Sequence, residues 1–263
     1  MSPTQQAAQR LFQAHAGRER FAPLPPELAP RTEDEAYAIQ DAFVALRAKE
    51  RGPVVGHKIA LSSAEMRRFV GVERPQAGVI FKSTLRRSPA RVRAIDYVHL
   101  IVEFEVAVEM AEDLPAADAP FSRARVAEAV GAVMPALEIA DDRDADYSRL
   151  AQHPLHLIAD NTWNEGAVLG APLADWRALD LAALIGRASV NGEKVGEGPA
   201  AAAMGHPFDA TAWIAGHLAR RGHGLLRGDV VITGSLITSK AVKAGDRVSF
   251  SLGAAAKAEL AVT

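Results

Sequence analysis

The sequence predicts an α+β fold in which a helical N-terminal part, residues 1–52, precedes a strand-rich body, residues 53–263. Apolar side chains recur at helical spacing in the first part, whereas Leu100–Met110 alternates with a period of two. Helices and strands do not alternate regularly after residue 53, which disfavours a doubly wound parallel sheet.

Two helices are predicted in the N-terminal part. The first, residues 4–16, places Ala7, Leu11 and Phe12 on one side, and a proline-rich extended link, Phe21–Arg31, follows it. Thr32 and Glu35 then have the spacing of a capping box, in which Thr32 accepts from the N–H three residues on and Glu35 reaches back. The helix that this box opens has four apolar residues at helical spacing: Ala36, Ile39, Phe43 and Leu46.

Strands separated by turns dominate the predicted body. A second capping box, Ser62 to Glu65, opens a short helix through Arg68, and the Asn191-Gly192 pair indicates a β-hairpin. Two further helices are predicted, Ser122–Gly131 and His206–Arg221. The predicted strands are Val54–Ala60, Leu100–Met110, Ala132–Ala140, Asp229–Thr233, Arg247–Leu252 and Ala258–Val262.

Composition excludes several classes of function. A net charge of −2 gives no global attraction to nucleic acid or to an anionic membrane. The absence of cysteine excludes disulfides, thiolate nucleophiles and cysteine-ligated zinc. The N-terminus lacks the apolar core of a signal peptide, and no apolar run reaches the roughly 18 residues of a membrane span. We therefore expect a cytoplasmic protein without nucleic-acid or membrane partners.

Three glutamates form the main candidate site. Glu103 and Glu105 leave the same face of the alternating strand, and Glu138 lies in the apolar run Met134–Ala140, where an unpaired carboxylate is expensive to bury. Such a set suits a hard cation, Mg²⁺ or Mn²⁺, better than a structural zinc. An ordinary solvent-exposed polar face explains Glu103 and Glu105 equally well, so the residue chemistry alone leaves both interpretations open.

Several short segments follow one another in an order that is informative when they are taken together. They are Gly56–Ser62, Val102–Ala107, Pro135–Ile139 with Asp141 and Arg143, Ala159–Asn161 with Val168–Gly170, Gly205–Pro207 with Ala212–Ala215, and Thr233–Leu236 with Ala244–Asp246. In this order they resemble the fumarylacetoacetate hydrolase superfamily. Within it they look most like the 2-keto-4-pentenoate hydratases and 4-oxalocrotonate decarboxylases of aromatic meta-cleavage pathways.

The resemblance implies a mixed-β roll with an N-terminal helical part, a homo-oligomer, and a small 2-keto or 2-hydroxydienoic acid as substrate. It also implies that Glu103, Glu105 and Glu138 hold Mg²⁺ or Mn²⁺, and that Lys58 is the active-site lysine. A surface lysine at a strand end is the alternative interpretation of Lys58.

Three more residues are candidates for substrate binding. Asp160 and Asn161 either line the site or form a turn or helix cap. Ser235, with the backbone N–H groups around Gly234, either binds a substrate carboxylate or belongs to a tight turn.

The sequence departs from the hydratase pattern at three places. Pro75-Gln76-Ala77-Gly78 stands where many hydratases have Pro-Asp-Phe-Gly, Thr162-Trp163-Asn164-Glu165 replaces smaller residues, and Ile237–Lys240 is unusually polar.

The resemblance and these departures together lead to three hypotheses of function. The leading one is a metal-dependent lyase that hydrates a 2-hydroxy-2,4-dienoate to a 4-hydroxy-2-keto acid in meta-cleavage degradation. The alternatives are a decarboxylase of 4-oxalocrotonate-type keto diacids and a non-catalytic partner subunit.

Overall fold

The computed structural model describes residues 1–253 and 256–263, and it contains helices packed on two mixed β-sheets. The helices are α1 Pro3–Ala16, α2 Glu33–Arg51, α3 Ala64–Val70, α4 Arg123–Ala129, α5 Pro154–Ala159 and α6 Pro207–Arg220. The strands are β1 Val54–Ala60, β2 Gln76–Phe81, β3 Leu85–Arg87, β4 Ala90–Val92, β5 Leu100–Met110, β6 Val130–Asp141, β7 Asn164–Leu169, β8 Ile185–Val190, β9 Glu193–Pro199, β10 Val230–Ser235, β11 Lys240–Ala241, β12 Arg247–Leu252 and β13 Ala256–Val262. None of the helices in these two ranges has the length and apolar character that crossing a bilayer requires.

The larger sheet has the strand order β2-β1-β10-β5-β6-β7-β3, with β11 also paired to β5. The smaller sheet has the order β4-β13-β12-β8-β9. The pairs β1–β10, β3–β7 and β4–β13 are parallel and the others are antiparallel. The predicted α+β class with mixed sheets is therefore confirmed.

Strand β5 shows why the alternating pattern predicts its location. Val102 and Phe104 have no exposed surface, and the Phe104 ring packs against Phe250 of the smaller sheet at 5.7 Å between ring centroids. This face belongs to the main hydrophobic core, which both sheets share. The other face of β5 is left for Glu103 and Glu105, as a period of two requires.

Both predicted capping boxes differ from the structure in detail. Thr32 Oγ1 accepts from the Glu35 N–H at 3.1 Å as predicted, but the Glu35 carboxylate accepts from the Arg31 N–H at 2.8 Å instead of reaching back to Thr32. At α3 the capping residue is Ser63, one residue later than predicted. Ser62 precedes the cap, and its carbonyl accepts from the Arg67 guanidinium at 2.8 Å.

Helix α2 contacts the body through buried polar groups. The Tyr37 hydroxyl accepts from the Ala77 N–H at 3.0 Å, and the Gln40 amide donates to the carbonyls of Ala77 and Ile158. Unsatisfied polar groups in such a place are costly, so these bonds fix the position of α2 on the body. The helix ends at Arg51 and β1 begins at Val54, next to the predicted boundary after residue 52.

The hairpin prediction is confirmed, whereas five strands were missed: β2, β3, β4, β7 and β11. Asn191 and Gly192 form the two-residue turn between β8 and β9, with φ angles of 54° and 85°. Both values are positive, as the favoured hairpin turn requires. Strands β2 and β7 were not predicted, although both flank the candidate site.

Candidate metal centre and active site

Three carboxylates from two neighbouring strands converge on one point. Glu103 and Glu138 are direct partners in the antiparallel pair β5–β6, and Glu105 lies two residues along the same face of β5. Each offers one oxygen, and these oxygens all lie within 4.8 Å of one another. Glu105 and Glu138 have no exposed surface, and Glu103 is partly buried. The structure thus brings together the three glutamates that were predicted as metal ligands.

The electrostatics of this cluster disfavour three negative charges in the absence of a cation. Burial raises the pKa of Glu103 to about 7, and the negative charge of Glu138 adds to this shift. Burial also raises the pKa of Glu105 well above its ordinary value, and repulsion from Glu138 and Glu103 adds to it. A divalent cation between the carboxylates would remove this penalty.

The hydrogen bonds of the cluster leave oxygens free for such a cation. Glu105 Oε2 accepts from the Gly234 N–H at 2.6 Å, and Glu138 Oε1 accepts from Asn164 Nδ2 at 2.9 Å. Within residues 1–253 and 256–263, the second oxygens, Glu105 Oε1 and Glu138 Oε2, are buried and have no hydrogen-bond partner. Buried hydrogen-bond acceptors normally have partners, and carboxylate oxygens are the ligand atoms that Mg²⁺ and similar ions prefer. These residues therefore fit a hard divalent ion.

Lys58 lies beside the cluster on β1. Its side chain is buried, with Nζ 3.0 Å from Glu138 Oε1 and 3.4 Å from the Thr162 carbonyl oxygen. Burial alone would lower the pKa of Lys58, but attraction to Glu138 and the other two carboxylates outweighs it and raises the pKa. The ammonium group is therefore charged at neutral pH. Its exposure of 3% excludes the alternative interpretation as a surface lysine.

A cavity of about 590 Å³ opens beside these groups. Lys58, Glu103 and Ser235 contribute to its wall. The Ser235 hydroxyl accepts from the Phe104 N–H at 3.1 Å and donates to the Ile237 carbonyl at 2.7 Å. Ser235 thus has the predicted location at the site. The N–H of Gly234, one of the backbone groups considered for binding a substrate carboxylate, donates to Glu105.

Asp160 and Asn161 do not form part of the cavity wall. The Asp160 carboxylate is ion-paired with Arg143 and lies 2.6 Å from His15 Nε2. The Asn161 side chain bonds both backbone groups of Val79, at 2.8 and 3.0 Å. Both side chains bond to other groups of the protein. We therefore assign them the role of holding the following loop in place, not of contacting substrate.

That loop presents two residues that were not among the predicted site residues. Asn161, Thr162 and Trp163 have consecutive φ angles of 51°, 47° and 62°, a conformation that costs free energy outside glycine. Thr162 and Trp163 contribute to the cavity wall, and Asn164 directly after them holds Glu138. Sequence reasoning missed Asn164 because its partner Glu138 lies 26 residues away along the chain and no local pattern marks the contact.

Comparison with known proteins agrees with this geometry. The sequence profile of the fumarylacetoacetate (FAA) hydrolase C-terminal family matches residues 53–263. The 2-keto-4-pentenoate hydratase of Paraburkholderia xenovorans (strain LB400) is 34% identical over 250 residues, which cover 94% of this chain and 90% of that protein. The 2-hydroxyhexa-2,4-dienoate hydratase of Comamonas testosteroni is 32% identical over 241 residues, covering 91% and 89%.

A solved structure has the same fold over nearly the whole chain. The 4-oxalocrotonate decarboxylase from Pseudomonas putida G7, complexed with magnesium and adipate, superposes with a TM-score of 0.89 at 24% identity. The superposition covers 99% of this chain and 97% of that one, including the N-terminal helices. On the match to the family profile and on its relatives of more than 30% identity, the chain belongs to the fumarylacetoacetate hydrolase family.

Proposed function

We propose that this protein is a carbon–oxygen lyase that hydrates a 2-hydroxy-2,4-dienoate to a 4-hydroxy-2-keto acid in aromatic meta-cleavage degradation. The observation that carries the proposal is the cluster of three carboxylates and one buried ammonium group beside a cavity of about 590 Å³. The names of the hydratase relatives agree with this chemistry.

Glu103, Glu105 and Glu138 would hold a divalent metal ion, for which Mg²⁺ and Mn²⁺ are the proposed candidates. Such an ion, when bound, supplies Lewis-acid polarisation of a keto or enol oxygen and so stabilises negative charge there. The chain positions its carboxylates for this purpose through the Gly234 N–H on Glu105 and the Asn164 amide on Glu138. Partners of this kind fix the orientation of ligands.

Lys58 would bind the substrate and exchange a proton with it. Its charged Nζ lies on the cavity wall, so it can bind the C1 carboxylate of the substrate and exchange a proton with the reacting chain. In the net reaction the enol proton moves to C5, the hydroxyl of water is added at C4, and its hydrogen is added at C3.

The test is the consumption of 2-hydroxypenta-2,4-dienoate by the full chain after removal of metal with EDTA. We expect loss of the dienol absorbance and formation of 4-hydroxy-2-oxopentanoate only when Mg²⁺ or Mn²⁺ is restored. Absence of turnover with either ion would reject the hydratase. We also propose a homo-oligomer, which light scattering at assay concentrations tests directly.

Decarboxylation of a 4-oxalocrotonate-type diacid is the second candidate, and Gln76 favours it. In the resemblance described above, many hydratases have an aspartate at this position. Gln76 is instead an uncharged, buried side chain that donates to the Pro154 carbonyl at 3.0 Å. Release of CO₂ from 4-oxalocrotonate would decide for this reaction, and metal binding without turnover of either acid would indicate a non-catalytic partner subunit.

A further inference from the structure

We infer that the cavity takes an uncharged apolar or aryl tail on the 2-hydroxydienoate and discriminates against a second carboxylate. The inference rests on the proposed function, because it specifies the substrate of that same site. It depends on the part of the cavity wall that lies outside the carboxylate cluster, where the side chains differ sharply in character from the cluster itself.

The charges on the wall provide the first argument. Among the described residues, those lining the cavity include three charged side chains: Lys58, Glu65 and Glu103. Lys58 and Glu103 belong to the cluster that receives the acid head of the substrate. The remaining charge, Glu65 in the first turn of α3, is negative. A carboxylate at the far end of the substrate would lose its hydrating water and find no cation to pair with. It would also approach the negative charge of Glu65.

The basic residues of α3 do not offset this. The Arg67 guanidinium donates to the carbonyls of Leu61 at 3.0 Å and Ser62 at 2.8 Å, and so binds the backbone that precedes its own helix. Arg68 is exposed, and neither arginine is part of the cavity wall. Helix α3 therefore turns its acid toward the cavity and its two arginines elsewhere.

Apolar side chains provide the second argument. Met66 and Phe69 lie three residues apart on α3, on one side of the helix, and both line the cavity. They are 38% and 52% exposed, so the apolar surface that they give the cavity wall is available to a ligand. Leu150 and Leu157 add further apolar wall.

Trp163 completes this surface. Its ring stacks edge-on with Phe21 and Tyr147, at 5.5 and 5.9 Å between centroids, and forms part of the cavity wall. Within the described part of the chain, its buried Nε1–H has no hydrogen-bond partner. An aromatic wall with one unused donor suits an aryl or keto-bearing tail. The cavity of about 590 Å³ is in the range of sites for larger ligands and exceeds the needs of a five-carbon acid.

The test measures how the tail of a ligand affects binding, independently of turnover. It uses saturated 2-keto acids, which share the head group of the substrate and have no carbon–carbon double bond to hydrate. Isothermal titration of the full chain with Mn²⁺ compares 2-oxohexanoate, 2-oxoadipate and 6-phenyl-2-oxohexanoate, with oxalate as the head group alone. We expect the phenyl compound to bind at least about 10-fold tighter than 2-oxohexanoate, since burial of the apolar surface of the ring favours binding. We expect 2-oxoadipate to bind at least about 10-fold weaker than 2-oxohexanoate.

Equal or tighter binding of 2-oxoadipate, or no gain from the phenyl group, would overturn the inference while leaving the hydratase proposal intact. Failure of oxalate and all three keto acids to bind would instead reject the proposed function. The two failures are therefore distinguishable.

Two variants of cavity residues and one control variant show which residues cause the preference. Glu65→Lys is expected to raise 2-oxoadipate affinity at least about 10-fold without changing oxalate affinity, because it supplies the missing cation at an exposed position. Glu73→Lys makes the same charge change at an exposed residue outside the cavity wall and should leave the preference unchanged. Phe69→Ala should remove the gain from the phenyl group alone. Identical behaviour of Glu65→Lys and Glu73→Lys would refute the role of Glu65.

Discussion

Glu103 of β5 and Glu138 of β6 stand directly opposite each other in the antiparallel register, so two carboxylates face one another across adjacent strands. Like charges in this arrangement destabilise a sheet. Glu105, two residues from Glu103, adds a third carboxylate on the same side. The two longest strands of the larger sheet therefore hold an arrangement that is unfavourable without a cation and rigid enough to bind one.

Glu105→Gln tests whether the three carboxylates bind a metal ion at the expense of the stability of the metal-free protein. We expect Mn²⁺ affinity to fall by at least about 10- to 100-fold, the loss seen even when only a supporting partner of a ligand is removed. In the presence of EDTA, thermal stability should stay the same or rise, because burial and the neighbouring carboxylates raise the pKa of Glu105 and make its charge costly. Calorimetric titration measures the affinity, and melting with and without Mn²⁺ measures the stability.

Glu109→Gln is the matched control. Glu109 lies on the same face of β5, but its carboxylate is paired with Arg87 at the surface, at 2.9 Å. This variant should keep full Mn²⁺ affinity and the full metal-induced rise in melting temperature. Equal affinity of the Glu105 and Glu109 variants would show that Glu105 is not a ligand.

Lys58→Met should separate metal binding from turnover. We expect turnover to fall by about 100- to 10,000-fold, the usual contribution of a positioned proton-transfer group. Mn²⁺ affinity should not fall, because the Lys58 ammonium pairs with Glu138 and competes with a cation for that oxygen. Rates under single-turnover conditions and calorimetric titration give the two quantities. Parallel loss of both would mean that Lys58 only maintains the local structure, and Lys82→Met, at an exposed position, controls for loss of a lysine.

The local part of this site could be predicted from the sequence. A period of two assigns Glu103 and Glu105 to one face of β5, and the apolar neighbours of Glu138 make an unpaired carboxylate there improbable. Helix α6 and the β8–β9 hairpin were likewise predictable because their capping and turn residues lie within the segments themselves. The position of Lys58 came from the family resemblance, since a single lysine in a strand has no distinctive pattern.

The rest depends on contacts between distant segments. Strand β7 has every residue buried but includes Asn164, Glu165 and Gly166, so neither alternation nor an apolar run marks it as a strand. Asp160 was a site candidate because its segment carries the family resemblance, and its contacts with Arg143 and His15 could not be anticipated because these partners lie on other segments. No local pattern could supply these pairings, because they are set by the packing of α1, α2 and α5 against one another.

Gly234→Ala should disrupt the hydrogen bond that holds Glu105. Gly234 has a φ of 107°, and a Cβ there would overlap the side chain of Ser62. Because both the backbone conformation and the space oppose a side chain, we expect a loss of stability beyond the roughly 1–2 kcal/mol for a left-handed residue alone. Displacement of the Gly234 N–H from Glu105 should also weaken Mn²⁺ binding. Chemical denaturation and calorimetric titration measure these effects.

Gly228→Ala is the matched control for this glycine. Gly228 also has a positive φ, 86°, but its Cβ would meet nothing within 4 Å in the described chain. It should lose only the conformational part of the stability, about 1–2 kcal/mol, and keep full Mn²⁺ affinity. If Gly234→Ala cost no more than Gly228→Ala and bound Mn²⁺ normally, the bond to Glu105 would have no role in the site.

His15 should make the docking of α1 dependent on pH. Its Nε2 lies 2.6 Å from Asp160 and its Nδ1 lies 3.2 Å from Glu165. Burial lowers the pKa of His15, but attraction and hydrogen bonds from the two carboxylates outweigh it and raise the pKa above its ordinary value. A raised pKa means that the charged histidine stabilises the fold fully below the unfolded value, about 6.5, and that this contribution is lost as pH rises through the folded value.

Comparison of the unmodified chain with His15→Gln therefore should show the largest difference in melting temperature near about pH 6 and a smaller one near about pH 9. The pKa of Asp160 is lowered, because Arg143 and His15 outweigh its burial, so Asp160 stays ionised throughout this range and adds no slope. In the Asp160→Asn background the dependence on pH should shrink, since one of the two charges that raise the His15 pKa is gone. A difference that stays constant from pH 6 to pH 9 would show that His15 is neutral in the folded protein and that its role is packing alone.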